Sequence, residues 1–288
     1  MTELPWPFVG TEVVASGALS ERTLRRRFRP LYPNVYVPRD AAVTAPERAR
    51  AAWLWSKRRG VVAGLSAAAL HGARWIDADE PAELLHDNRR PPQGLVVRTE
   101  CTLPAELAVV GGIPVTTPAR TAFDLGRRLP RTVAVQRLDA LANATGLKDV
   151  DVAEVMAAHP GARGLPRLRG VLPLMDGGAE SPQETVARLA LIDAGLPAPV
   201  TQFRVVDGCG QFVARLDMAY PEYRVGIEYD GPQHWTDPAV RQRDIDKMFT
   251  LNELDWIVIR ASRDLLRYRR TTYVVRVEDA LRSRGLRL

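Results

Sequence analysis

Cysteine is nearly absent from this chain. Cys101 and Cys209 are the two in 288 residues, and neither stands at metal-binding spacing from another ligand. With only four scattered histidines, that excludes a zinc constellation and predicts a reducing, cytoplasmic setting with both thiols free. No apolar run reaches eighteen residues, so no membrane-spanning helix is expected. The opening MTELPWPFVG has no basic segment leading into an apolar one, so no secretory leader is expected either. Lysine is scarce, and arginine supplies almost all of the positive charge. What remains is an ordinary globular balance of 46% apolar and 26% charged residues, in a length that suits two domains or one with additions.

The net charge of +6 is unevenly placed. Arg22, Arg25, Arg26, Arg27 and Arg29 crowd the N-terminal region. Arg260, Arg263, Arg267, Arg269, Arg270, Arg276, Arg282, Arg284 and Arg287 fill the C-terminal end. Clustered arginine is the footprint of a phosphate-backbone partner; a genome that favours arginine on solvated faces is the competing explanation.

Residues 1–40 read as a small winged helix-turn-helix. Thr11 to Ser16 forms a short helix, Gly17-Ala18-Leu19 the turn, and Ser20 caps a second helix carrying the five arginines. LYPNVYV, Leu31 to Val37, supplies a wing. Arg22, Arg25, Arg26 and Arg27 are the candidates to meet phosphates or guanine edges; an ordinary basic helical hairpin is the alternative. Residues 41–170 read as a mixed α+β region of unknown role. Pro46 and Pro118 open helices, and LVVRT at Leu95 to Thr99 and Ile113 to Val115 are strands. His71 and His86 lack acid or cysteine partners at telling spacing and read as structural. The Gly-, Pro- and Arg-rich HPGARGLPRLRG beginning at His159 marks a boundary, and 171–288 forms the last domain.

That last part reads as a helix from Ser181, three strands, a helix over Pro238 to Leu254, the strand WIVIR and a closing helix. The order predicts an α/β sandwich around a mixed sheet, with WIVIR as a buried central strand. Its hairpin, FVARLDMAYPEYRVGIEYDGPQHW, puts Val225, Ile227 and Tyr229 on one face and Gly226, Glu228 and Asp230 on the other. Gly226 leaves the carboxylates uncrowded. Asp217 and Glu228, each flanked by apolar residues in a strand, carry a desolvation cost that asks for a cation or a proton.

These residues resemble the PD-(D/E)XK restriction-endonuclease-like superfamily, and within it the uncharacterised-function domains akin to the very-short-patch repair endonuclease. SPQET at 181–185, Gln202, RLDMAYP, IEYDGPQHW and RDIDKMFTLNELDWIVIR carry the match. FVGTEVVASGALSERTLRR, LYPNVYVP and GIPVTTPARTAFDLG more loosely resemble the helix-turn-helix abortive-infection antitoxins of type IV toxin–antitoxin systems. The first resemblance implies a Mg²⁺- or Mn²⁺-dependent endonuclease hydrolysing DNA, with Asp217, Glu228 and Glu184 on the metal. It gives Asp230 the place of the usual lysine, makes His234 a candidate proton donor, and sets Lys247 where arginine is usual. Arg243 and Arg260 join the DNA-binding candidates. Glu184 also fits a capping box with Ser181, Asp230-Gly231 a tight turn, and His234 a structural histidine. Asp255 replaces the usual glycine before Trp256. The leading expectation is therefore a metal-dependent endonuclease behind a DNA-binding region. The alternative is a DNA-binding regulator or antitoxin-like protein with an inactive nuclease fold. Expected partners are DNA and another protein of a defence or toxin–antitoxin system, with no membrane.

Overall fold

The structure is a computed structural model that describes residues 4–88, 90–231 and 238–287, without the side chains of residues 238–241 and 243. The chain divides into two compact units, Met1–Gly177 and Gly178–Leu288. Both mix helices with sheet.

The first unit opens with β1 (Phe8–Val9), α1 (Gly10–Ala15), α2 (Glu21–Arg27), β2 (Phe28–Tyr32) and β3 (Val35–Pro38). Ser20 ends the turn and caps α2 by accepting the Thr23 N–H at 3.2 Å, which stops the chain from running on as one helix. The three strands pair in the order β1-β3-β2, giving the helical pair its wing. Arg29 does not sit on α2, as the sequence reading had it. The helix ends at Arg27, and Arg29 lies in β2, where its guanidinium donates to the Arg39 and Ala41 carbonyls.

There follow α3 (Ala45–Trp55), β4 (Val61–Val62), α4 (Gly64–Leu70), β5 (Ala82–Leu85), β6 (Leu95–Arg98), β7 (Leu107–Val110) and β8 (Ile113–Thr116). Among the described residues these strands form one sheet in the order β6-β5-β4-β8-β7. Thr44 and Glu47 close a capping box at the start of α3. The small residues Ala49, Ala51 and Ala52 let this helix approach closely, and Tyr32 and Val35 of the wing share its core with Val62, Leu84 and Val115. Four helices complete the unit: α5 (Pro118–Arg128), α6 (Arg131–Thr145), α7 (Asp149–Ala158) and α8 (Leu165–Val171). The unit runs past the Pro- and Arg-rich stretch to Gly177 because α8 buries Leu168 and Val171 there. Leu168 lies where a Cβ on Gly126 of α5 would stand, 2.4 Å from its Cδ1.

The second unit contains α9 (Pro182–Asp193), β9 (Val200–Val206), β10 (Phe212–Tyr220), β11 (Val225–Asp230), α10 (Pro238–Glu253), β12 (Ile257–Ser262), α11 (Arg263–Tyr268) and α12 (Arg270–Ser283). The sheet order is β12-β11-β10-β9, with β12 parallel to β11 and the other pairs antiparallel. WIVIR thus forms an edge strand rather than a central one. It is apolar throughout because helices cover both of its faces. Ile257 and Ile259 pack with Tyr273, Val277 and Leu281 of α12, whereas Trp256 and Val258 pack with Leu251 of α10. A continuous apolar run reports burial on two faces, not the number of strand neighbours.

Candidate functional site

The N-terminal candidates sit on a short helix with one buried anchor. Leu24 of α2 is buried, together with Phe8 and Phe28. Arg22, Arg25 and Arg26, at i, i+3 and i+4, share the face turned away from Leu24, and all three are exposed. Arg25 makes a 3.3 Å pair with Glu21 in which both side chains are largely solvated. Arg22, Arg26 and Arg27 have no ionic partner among the described residues. A helix that presents unneutralised guanidinium groups from a packed backbone is a surface for polyanions.

Sequence reasoning missed a larger feature in the first unit. Arg120, Asp124, Arg127 and Arg128, at i, i+4, i+7 and i+8, form a charged stripe on α5, and the stripe faces inward. Asp124, fully buried, accepts from Arg120 Nε at 3.1 Å and from Arg127 Nη2 at 2.7 Å, and lies 3.0 Å from Arg128. Arg120 also reaches Glu106 at 2.5 Å, Glu100 at 3.3 Å and the Cys101 carbonyl at 3.0 Å. Arg127 bonds Glu100, and Arg128 and Arg98 converge on Glu83 at 2.7 and 2.5 Å. His159, after α7, meets Glu106 at 2.5 Å. Burial raises the Glu100 carboxyl, but the Arg128 and Arg127 charges outweigh it, and the net direction is downward. Glu106 goes the same way, burial being overcome by His159, the Leu103 N–H and Arg120. Four arginines facing four carboxylates leave little net charge, so the cluster is a clamp holding α5 to β5, the β7 approach and the end of α7. Alternating charges at helical spacing usually mark a solvated face, which is why α5 passed as plain scaffold. The acids Glu100 and Glu106 just upstream were the available signal. His71, in the same region, donates from Nε2 to the Thr116 carbonyl at 2.7 Å.

In the second unit Arg215, Asp217, Glu228, Tyr229, Asp230, Asp244, Lys247 and Arg260 line one cavity of about 130 Å³. The sequence-derived set therefore largely converges, but Glu228, Lys247 and Arg260 are already in ion pairs. Lys247 Nζ sits 2.5 Å from Glu228 Oε1 and 3.8 Å from Asp244, and Arg260 bonds Asp244. Asp217 accepts the Tyr229 N–H at 2.7 Å. Burial raises the Asp217 carboxyl, opposed by that N–H, while Glu228 repels and Lys247 and Arg215 attract. Glu184 does not line the cavity. Its N–H donates to Ser181 Oγ at 3.2 Å, and its carboxylate accepts the Glu180 N–H at 2.9 Å and Gln202 Nε2 at 3.2 Å. Ser181 caps the helix, whereas the Glu184 carboxylate is a buried acid that bonds the residue before the cap instead of closing a capping box, and burial raises its pKa with a further contribution from Asp217. Asp230 ends β11 opposite Ser262. His234 and the Arg243 side chain lie outside the described residues.

The backbone explains the convergence. Leu216 and Met218 belong to opposite cores, so the alternation of β10 breaks at Asp217, level with Gln202, whose φ is +50°. Gly226 does not relieve the carboxylates as the sequence suggested; a Cβ there would stand 2.6 Å from Leu216 Cδ1, so it makes room for the core. Asp255 adopts φ +63° in place of a glycine, with Arg284 gripping its carboxylate at 2.6 and 2.8 Å and its carbonyl at 2.8 Å.

A divalent cation does not fit this donor set as it stands. Glu228 is occupied by Lys247, Asp217 by a main-chain N–H, and Glu184 by the Glu180 N–H and Gln202. Among the described residues no three His, Cys, Asp or Glu side chains are grouped to hold a metal.

Residues 61–174 match the AbiEi antitoxin C-terminal domain family. Two uncharacterized proteins of Mycobacterium tuberculosis, from strains CDC 1551 and H37Rv, are each 36% identical over 170 residues, which is 59% of this chain and 62% of theirs. The chain thus spans less than two thirds of the length of these relatives. No solved structure matches. The antitoxin domain match falls on the region that the sequence reading left without a role, and nothing among these relatives speaks for a nuclease. The endonuclease expectation is therefore corrected: the antitoxin resemblance is the one that holds, and in the cavity of the second unit Glu228, Asp244, Lys247 and Arg260 are paired with one another. No described helix is long and apolar enough to cross a membrane.

Proposed function

We propose that this chain is a DNA-binding regulator of antitoxin type. The α2 arginines contact the phosphate backbone and guanine edges of duplex DNA, and the 61–174 segment acts as the antitoxin domain. In this reading the second unit has a restriction-endonuclease-like arrangement without hydrolytic activity, with Glu228 and Asp244 paired to Lys247 and Arg260 and Asp217 hydrogen-bonded to a main-chain N–H. The protein works in the cytoplasm beside a second protein of a toxin–antitoxin pair. The observation that carries the reading is the exposed Arg22, Arg25 and Arg26 face of α2, opposite buried Leu24, in a chain whose next segment matches an antitoxin domain.

Fluorescence anisotropy on a duplex from upstream of its own reading frame tests this across a salt series. Replacing all three arginines by alanine is expected to flatten the slope of log K against log salt by about 2.7, the loss of three phosphate contacts. An unchanged slope would refute the assignment. With Mg²⁺ or Mn²⁺ the protein is expected to leave supercoiled plasmid intact.

A further inference from the structure

The α2 reading leaves the C-terminal arginines unused, and they are the more concentrated group. The last 28 residues, 261–288, hold eight arginines against three acids, Asp264, Glu278 and Asp279. Some of these arginines are tied up: Arg270 with Asp193 at 2.8 Å, Arg282 with Glu278 at 2.5 Å and Arg284 with Asp255 at 2.6 Å. Arg267, Arg269 and Arg276 are exposed and have no ionic partner among the described residues.

Arg267 and Arg269 stand at the corner between α11 and α12, where Arg269 alone links the helices, and Arg276 follows on the Arg269 face about two turns along α12. Buried side chains and backbone hydrogen bonds anchor the corner. Leu265 and Leu266 of α11 and Tyr273, Val277 and Leu281 of α12 are buried in one core. The Arg269 N–H donates to Leu265, and the Tyr273 N–H to Arg269. At its tip stands Tyr268, 70% exposed, with the Arg267 guanidinium 5.2 Å from the ring centre. A large aromatic ring left in water costs hydrophobic free energy, and here it is flanked on both sides in sequence by arginine.

We propose that this corner is a second nucleic-acid site, which takes single-stranded DNA or RNA. Arg267, Arg269 and Arg276 meet successive phosphates, and an unpaired base stacks on Tyr268. The chemistry selects a single strand because a base inside a duplex offers no free face to a surface tyrosine, whereas every unpaired base does. A membrane surface is the poorer fit, since an isolated tyrosine on an arginine-rich corner lacks the apolar face of an interfacial helix. The site is independent of α2 and stands or falls apart from the duplex-binding reading.

Anisotropy of the full chain with end-labelled oligo-dT, oligo-U and a mixed-sequence duplex tests it. Tyr268→Ala is expected to weaken single-strand binding by about 5- to 150-fold, the range for one stacked base, with Tyr268→Phe retaining it. Alanine at Arg267, Arg269 and Arg276 together should flatten the salt slope by about 2 on single strands. The α2 triple variant should keep single-strand affinity while losing duplex affinity. The oligo-dT and oligo-U arms tell whether DNA, RNA or both are taken. The proposal is overturned if the wild type binds neither oligonucleotide, if Tyr268→Ala binds them as the wild type does, or if the α2 variant abolishes single-strand binding.

Discussion

Asp124→Ala would strip the buried clamp of the first unit of its central acid. Asp124 is fully buried and touches three arginines, Arg120, Arg127 and Arg128, whose side chains are 2%, 7% and 15% exposed. Glu100, Glu106 and Glu83 remain, so the arginines keep some partners, but three positive charges then face one another with less compensation. Removing one member of a buried pair costs about 3–5 kcal/mol, because the other is left desolvated and unpaired. A domain of this size loses about 2–4 °C of Tm per kcal/mol, so the first unit should melt on the order of 10 °C lower. The fitting control is Glu21→Ala, which breaks the Arg25 pair, where the side chains are 80% and 72% exposed; about 0.5 kcal/mol or less is expected there. Urea and thermal unfolding followed by near-ultraviolet circular dichroism would measure both, with two transitions allowed for the two units. If Asp124→Ala shifted the first unit no more than the Glu21 control, the clamp would be a bystander and the reasoning wrong.

Gly226→Ala should destabilise the second unit by about 1–3 kcal/mol through overpacking against buried Leu216, read as a lower urea midpoint; an unchanged midpoint would show that Leu216 moves freely. The two units should respond oppositely to acid in these groups. Glu100 and Glu106 are depressed below their ordinary value of 4.5, so the stability they give is present above that value and is lost as pH falls through their folded pKa values. Asp217 and Glu184 are raised, so their contribution is complete below the ordinary values of 3.8 and 4.5 and is lost as pH rises through the folded ones. Asp217→Asn, which can still accept the Tyr229 N–H, should therefore raise the melting temperature of the second unit at neutral pH, with the gap closing in acid. A gap that widens in acid would reverse the assigned direction.

The elements were legible where the physics is local. Ser20 at a cap, Gly17 in the turn and the alternation of Val225, Ile227 and Tyr229 follow from hydrogen bonding and pleat geometry within a few residues. Asp217, Glu228, Asp230 and Lys247 line one cavity, a grouping that the family resemblance implied and strand and helix order alone did not. What those groups do there was not legible. Whether Glu228 faces an ion or Lys247 depends on how α10 lies on the sheet, and no spacing encodes that 2.5 Å contact. The α5 stripe shows the same limit in reverse, since Arg120, Asp124, Arg127 and Arg128 have identical spacing on a solvated or a buried face.

The sequence by itself determined the arginine distribution, the winged helical pair at the start and the helix and strand order of the second unit, because each depends on residue type and near neighbours. The tertiary structure alone decided which charges are spent on one another. Asp124, Glu228 and Arg260 are neutralised by residues 3 to 19 positions away, whereas Arg22, Arg26, Arg267 and Arg269 are left without an ionic partner among the described residues. Electrostatic pairing acts through space and at short range, so only the folded chain separates the charges that hold it together from those free to meet a partner.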